Sequence, residues 1–207
     1  MRCPEQRRLR LPVLALLHAL FLAPGLLAAA EVAWVGSAAC QSCHADAYRA
    51  WQSSHHYQAM LPASEDTVLG DFDGATFEYG GVTSRFYRRD GKYLVETDDA
   101  NGELREFEIT YTFGFQPLQQ YLVPFPGGRY QALNIVWDSR PRADGGQRWM
   151  HLYPEHDDPA DGDGPVTHDD PVHWTGSFQN WNSRCAACHS TGLEKNYSAA
   201  SDGYRTS

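Results

Sequence analysis

The hydrophobic and polar positions change their period along the chain. Between Ala75 and Tyr153 apolar and polar residues tend to alternate, and in SRFYRRDGKYLVET this pattern flanks Asp90-Gly91. Period-two alternation predicts half-buried strands, and an Asp-Gly pair between two such runs predicts a tight hairpin. Gly127-Gly128 predicts a second hairpin. We expect an antiparallel sheet of six or seven strands here.

Helical segments are predicted on both sides of this sheet. Residues 37–61 begin with Ser37, a good helix-capping residue, contain helix formers, and stop before Pro62. A second, short helix is predicted for residues 182–190. The predicted fold class is therefore α+β, with short helical segments flanking an antiparallel β-sheet insertion.

The first thirty residues have the pattern of an export signal. MRCPEQRRLR is basic, LPVLALLHALFLAPGLL is apolar, and Ala28-Ala29-Ala30 offers small residues for cleavage. An uncleaved membrane anchor is the alternative, because the run approaches the ~20 residues that span a bilayer. Cleavage would remove four Arg and one Glu and leave no predicted membrane span, moving the formal net charge from −9 to −12. An acidic exported protein is a poor candidate for nucleic-acid binding and suits a basic protein partner.

The remaining cysteines form two copies of one pentapeptide, CQSCH at residues 40–44 and CAACH at residues 185–189. Export favours disulfides, but a disulfide does not need the histidine that follows each pair. The two halves of a zinc site are typically about 15–20 residues apart, whereas these pairs are separated by about 140. A thioredoxin-like dithiol would lie in a βαβ pattern, which is absent.

The C-x-x-C-H spacing is that of c-type haem attachment. Two thiols separated by two residues can reach the two vinyl groups of the porphyrin, and the imidazole that follows can bind the iron. We therefore predict two covalently attached haem c groups. The predicted attachment residues and proximal ligands are Cys40, Cys43 and His44 for one group and Cys185, Cys188 and His189 for the other. Tyr48 and Trp51, one helical turn apart, could line a porphyrin face or pack in a core.

Longer stretches resemble the exported multihaem cytochromes c that carry a cytochrome c-552/c-554-like domain. They are SAACQSCH with WQSSHH behind it, TVLGDF, GVTSRFYRRDGKY, ITYTFGFQPLQQYLVPFPGGRYQAL, GGQRWMHLYP and HWTGSFQNWNSRCAACHSTGL. The resemblance implies a periplasmic protein of the bacterial cell envelope that passes single electrons between its haems and an exported redox partner, and the acidic charge of the chain predicts a basic docking face on that partner. Members often continue into a third CxxCH and tetratricopeptide repeats. This chain ends at Ser207 with no recognisable closing strand after Tyr197, which favours C-terminal truncation.

These observations predict five segments along the chain. They are a signal peptide (1–30), a first haem-binding segment (31–66), an antiparallel β insertion (67–154), an acidic loop (155–171) and a second haem-binding segment (172–207).

One distal iron ligand is predicted from the resemblance. The family often places a ligand at the last position of W-x-x-S-x-H, which is His56 here. On a straight helix His56 would lie ~18 Å from His44, and the two could not approach one iron from opposite faces. We therefore expect His56 to bind the haem of the second motif, or a haem beyond the present C-terminus.

The sixth ligand of the first haem must then come from elsewhere. His173 is the favoured residue, because the neighbouring Gly176 and the acidic loop would leave it free to move. The further candidates for distal ligands are His151, His168 and His55. Two other functions stay open: a haem enzyme acting on a nitrogen oxide, hydroxylamine or peroxide at a five-coordinate iron, and a partner-binding module with structural haem.

Overall fold

A computed structural model describes residues 35–154, 164–190 and 192–207. The predicted signal peptide and residues 155–163 of the predicted acidic loop lie outside these ranges. Within them the chain forms ten strands, all paired antiparallel, and three short α-helices. The α+β class is confirmed, with strands dominating.

Two α-helices precede the strands along the chain, and the third follows them. The helices are α1 (Ala45–Gln52), α2 (His55–Gln58) and α3 (Ala186–His189). The strands are β1 (Met60–Pro62), β2 (Asp73–Tyr79), β3 (Val82–Arg89), β4 (Lys92–Asp98), β5 (Leu104–Ile109), β6 (Tyr111–Phe113), β7 (Leu118–Phe125), β8 (Arg129–Ala132), β9 (Ile135–Asp138) and β10 (Arg148–His151).

Both predicted hairpins are present. Asp90 and Gly91 connect β3 to β4 with φ angles of 53° and 74°, the left-handed values that a two-residue turn of this kind requires. Gly127 and Gly128, with φ angles of 72° and 69°, connect β7 to β8. The turn residues therefore fix two strand pairs of the fold.

The expectation of one sheet with six or seven strands is wrong, because the strands form two sheets. One has four strands in the order β2-β3-β4-β5, and the other has six in the order β1-β6-β7-β9-β10, with β8 also paired to β7. The chain crosses between the sheets at Thr110, which separates β5 from β6. Alternation continues through ELREFEITYTF, so the hydrophobic pattern alone did not show the crossing.

The predicted helix over residues 37–61 is also divided. Residues Ser37–Cys40 form a 3₁₀ turn, α1 ends at Gln52, and α2 is followed directly by β1. Ser53 and Ser54 cause the break after α1, because their hydroxyls donate to the carbonyl oxygens of Ala50 and Trp51 at 2.9 and 2.6 Å. Such side-chain bonds compete with continuation of the helix.

The six-stranded sheet buries side chains on both faces. Tyr121 and Val123 of β7 point into an aromatic core shared with the four-stranded sheet, while Leu122 lies in a separate cluster with Trp181 and Ala186. Phe72 anchors the aromatic core through edge-to-face contacts with the rings of Phe86, Tyr93, Tyr121 and Trp149. The second CxxCH segment therefore packs on the face of β7 opposite the aromatic core.

The C-terminal residues are held by backbone hydrogen bonds, although residues 192–207 form no helix or strand, as expected from the sequence after Tyr197. Glu194 and Ser207 exchange two backbone hydrogen bonds of 2.9 and 3.0 Å, and the Tyr204 amide donates to the Gly127 carbonyl at 2.7 Å.

Among the described residues, no helix has the length and apolar character that a membrane crossing needs.

Candidate haem-binding sites

The two CxxCH motifs adopt the same backbone turn. The amide of the second cysteine donates to the carbonyl of the first, at 3.3 Å for Cys43 and 3.1 Å for Cys188. The amide of the histidine donates to the same carbonyl, at 2.9 Å for His44 and 3.1 Å for His189. Residues three and four apart on a helical turn are surface neighbours. In each turn the first cysteine is therefore a surface neighbour of both the second cysteine and the histidine.

All four cysteines in the described ranges are free thiols. Cys40, Cys43 and Cys188 are exposed, and Cys185 is half-buried. Burial raises the pKa of the Cys185 thiol, with the neighbouring Arg184 guanidinium acting in the opposite direction. Within the residues the structure describes, no three His, Cys, Asp or Glu side chains converge as ligands of a single metal ion.

The first motif borders an open pocket of ≈ 330 Å³. Ser37, Cys40, His44, Ala47, Tyr48 and Trp51 line it. Trp51 is 36% exposed, although its ring packs against the rings of Tyr48 and Tyr57, with centroids 5.5 and 4.8 Å apart. The 3₁₀ turn, α1 and α2 contain no buried residue. The predicted attachment residue Cys40 and the predicted proximal ligand His44 thus open onto an apolar surface that could accept a porphyrin face.

The second motif is anchored in the fold. Ala186, the residue after Cys185, has 0% exposure and packs with Phe113, Leu122 and Trp181. The His189 ring lies edge-to-face on Phe113, with centroids 4.8 Å apart. Cys188 and His189 remain exposed, so they could still engage a porphyrin. The sequence did not single out Phe113, because its position in a strand pattern indicates only packing.

A family model described as cytochrome c554 and c-prime matches residues 39–69. This stretch contains CQSCH, α1, α2 and β1. Over these residues the chain is similar to a c-type cytochrome. No curated protein and no solved structure matches the chain. The match supports a cytochrome c-554-like domain with covalently bound haem c.

The predicted distal ligand His56 lies beside His55 on α2, and both are exposed. The His55 ring contacts the ring of Phe115, with centroids 5.5 Å apart. After α2 the chain enters β1, where Met60 pairs with Phe113, the residue that His189 contacts. The structure thus connects α2 and the second motif through the end of β6.

His173 is held in place rather than free to move, so the reason for favouring it is wrong. It is 4% exposed, and its Nδ1 and Nε2 atoms lie 2.8 Å from Thr175 Oγ1 and 3.1 Å from Asp98 Oδ2. Burial acts to raise the pKa of Asp98, but the hydrogen bond and charge of His173 hold it below the ordinary value. Iron ligation by His173 stays a prediction that requires this arrangement to open.

The other two histidine candidates lie near that region. His151 is buried at the end of β10, and its ring stacks on the Tyr79 ring with centroids 3.6 Å apart. Its Nδ1 accepts a hydrogen bond from the Tyr153 amide. His168 lies against Gly102, and its Nε2 is 3.6 Å from Asp169 Oδ2. Iron ligation by His151 or His168 stays a prediction.

Proposed function

We propose that this protein is an exported c-type cytochrome that carries a covalent haem at each CxxCH motif and transfers single electrons to or from a redox partner. The observation that carries the proposal is the shared turn, which presents two free thiols and an imidazole at both motifs. The family match over residues 39–69 supports it independently at the first motif.

The four thiols would hold the porphyrins as thioethers. Each thiol would add across one vinyl group, forming an S–C bond while the thiol proton passes to the other vinyl carbon, and this addition would need no oxidant. His44 and His189 would bind the irons as proximal ligands. The bound haem would supply a one-electron Fe(III)/Fe(II) couple, whose potential depends on ligands, hydrogen bonds and burial.

We also infer that His56 serves as a distal ligand of the second haem. The support is that α2 continues directly into β1 and that Met60 and His189 share Phe113 as a neighbour. The sequence argument placed His44 and His56 on one straight helix, where they could not bind the same iron. That argument does not apply, because a break at Ser53–Ser54 separates α1 from α2, and the assignment now rests on the contacts of Phe113. Crossed ligation would connect the N-terminal segment to the C-terminal one.

The attachment claim is tested by mass. Expressed with a haem-attachment system, the protein should exceed the mass of its bare chain by two haem groups, one on each cysteine-pair peptide. Replacing both cysteines of one motif by alanine should remove one haem and leave the other. A bare mass with two disulfides from the same host would contradict the proposal.

The proposed redox partner is an exported protein with a basic docking face. The chain carries a formal net charge of −9, which favours a basic surface on the partner. Charges farther apart than about 10 Å are largely screened at 0.1 M salt. Electron exchange with a basic cytochrome should therefore slow as salt rises, while exchange with an acidic one should not. Equal salt dependence for the two would contradict this docking charge.

A further inference from the structure

The second CxxCH motif is attached to the sheet by a set of buried side-chain amides. Asn182, three residues before Cys185, is 0% exposed and uses both ends of its side chain. Its Oδ1 accepts from the Tyr130 amide at 2.7 Å, and its Nδ2 donates to the Gly128 carbonyl at 3.2 Å and to Thr206 Oγ1 at 2.9 Å. One side chain thus joins the β7–β8 hairpin, the C-terminal segment and the approach to the motif.

A second amide pair reinforces this attachment. Asn180 Nδ2 donates to Gln131 Oε1 at 3.1 Å, and Gln131 Nε2 donates to the carbonyls of Trp174 and Gly176 at 3.1 and 2.9 Å. Asn180 Oδ1 accepts from the amide and the hydroxyl of Ser183 at 3.0 and 2.8 Å. Both amide side chains are buried, and buried polar groups that are fully hydrogen-bonded fix one arrangement of the chain.

The attachment continues into the motif through backbone bonds. The amides of Cys185 and Ala186 donate to the Trp181 carbonyl at 3.1 and 2.9 Å, and the Trp181 amide donates to the Tyr130 carbonyl at 2.8 Å. These bonds join the CAACH turn, through Trp181, to Tyr130 of β8. The first motif differs, since its helical elements bury no residue.

We propose that Asn182, with Gln131 and Asn180, acts as a positioning residue that presets the second motif for haem attachment, whereas the first motif becomes ordered only with its haem. This inference rests on the proposed function. A haem-attachment apparatus acting on the chain would meet a formed turn at Cys185–His189 and a loosely held one at Cys40–His44.

The test compares Asn182→Ala with a matched control, Gln119→Ala, in full-length chains expressed with a haem-attachment system. Gln119 is also 0% exposed and makes three side-chain hydrogen bonds, to Leu69, Thr67 and Tyr121, none of them to the second motif. The readout is the haem-bearing fraction of the Cys185/Cys188 peptide relative to that of the Cys40/Cys43 peptide. Gln119→Ala controls for a general loss of stability, because such a loss would lower the ratio in both variants.

Asn182→Ala should lower the ratio about fivefold, the effect expected from losing a buried hydrogen-bonded group, and Gln119→Ala should not lower it. Thr206→Val removes one hydrogen bond to Asn182 and should give a smaller decrease of the ratio. It serves as the test variant if Asn182→Ala does not fold. In wild-type chain prepared without haem, the Cys188 and His189 amides should exchange hydrogen more slowly than those of Cys43 and His44.

Three results would overturn the inference. They are an unchanged ratio in Asn182→Ala and Thr206→Val, the same decrease in Gln119→Ala, or equal exchange at the two motifs. Absence of haem from both motifs of the wild-type chain would instead overturn the proposed function itself. Two haems in the wild type with an unchanged ratio in the variants would overturn the positioning role alone.

Discussion

The CxxCH residues are visible in the sequence because covalent haem attachment requires a fixed local spacing. Their partners are not visible, because those come from distant parts of the chain. Asp98 lies 75 positions from His173, yet the two side chains bond in the buried region between β4 and the segment after the acidic loop. The idea of a mobile His173 failed for this reason: adjacent glycine and loop residues indicate freedom, but only the fold shows what the ring contacts. The same limit applies to Phe113 beside His189.

Replacing His56 tests the distal-ligand assignment at the level of single residues. We expect His56→Ala to convert one haem from low-spin to high-spin iron, because the iron loses its sixth ligand, and to leave the other haem unchanged. His55→Ala is the matched control on the same exposed helix and should leave both haems low-spin. Optical and electron paramagnetic resonance spectra of the two variants provide the measurement. Unchanged spin in His56→Ala, or the change appearing with His55→Ala instead, would show that the assignment is wrong.

The hairpins were predictable because their turn residues, Asp90-Gly91 and Gly127-Gly128, adopt backbone angles that few other residues favour. The division into two sheets was not, because β5 and β6 share one alternating pattern across Thr110. The break in the predicted N-terminal helix was partly predictable. Ser53 and Ser54 are a local signal for a helix end, but they stand within a run of good helix formers that extends towards Pro62.

A carboxylate at the end of β9 gives a test of the six-stranded sheet. Asp138 has no exposed side-chain surface, and both of its oxygens accept bonds from the Arg140 guanidinium. Those bonds hold the pKa of Asp138 below its ordinary value of 3.8, although burial acts to raise it. A lowered folded-state pKa stabilises the protein above the ordinary value and ceases to do so as pH falls through the folded-state value.

We therefore expect Asp138→Asn to lower the melting temperature by roughly 3–6 °C at neutral pH. The difference from wild type should narrow as the pH falls below 3.8. Thermal unfolding followed by circular dichroism from pH 7 down to pH 3 measures both effects. The exposed Asp144→Asn on the following turn is the control and should have little effect. A difference that stays constant or grows in acid would contradict this role for the ion pair.

At the scale of the whole molecule, the six-stranded sheet separates two kinds of interior. One face of β7 packs into the aromatic core, and the other supports the second motif through Leu122, Trp181 and Ala186. The first motif lies on short helices that bury no residue and border an apolar pocket. The sequence predicted that two haem segments would flank a sheet, but treated them as equivalent. Their difference follows from packing against β8, which no local pattern shows.

Electron transfer by two six-coordinate haems is the central claim, and the optical spectrum of the reduced protein with and without carbon monoxide tests it most directly. We expect both haems to be low-spin, to reduce and reoxidise reversibly, and to give the same reduced spectrum when carbon monoxide is added, because six-coordinate irons would leave no position open. Stoichiometric binding of carbon monoxide at a haem, with high-spin iron and turnover of a small nitrogen oxide, hydroxylamine or peroxide, would contradict the account and identify a haem enzyme instead.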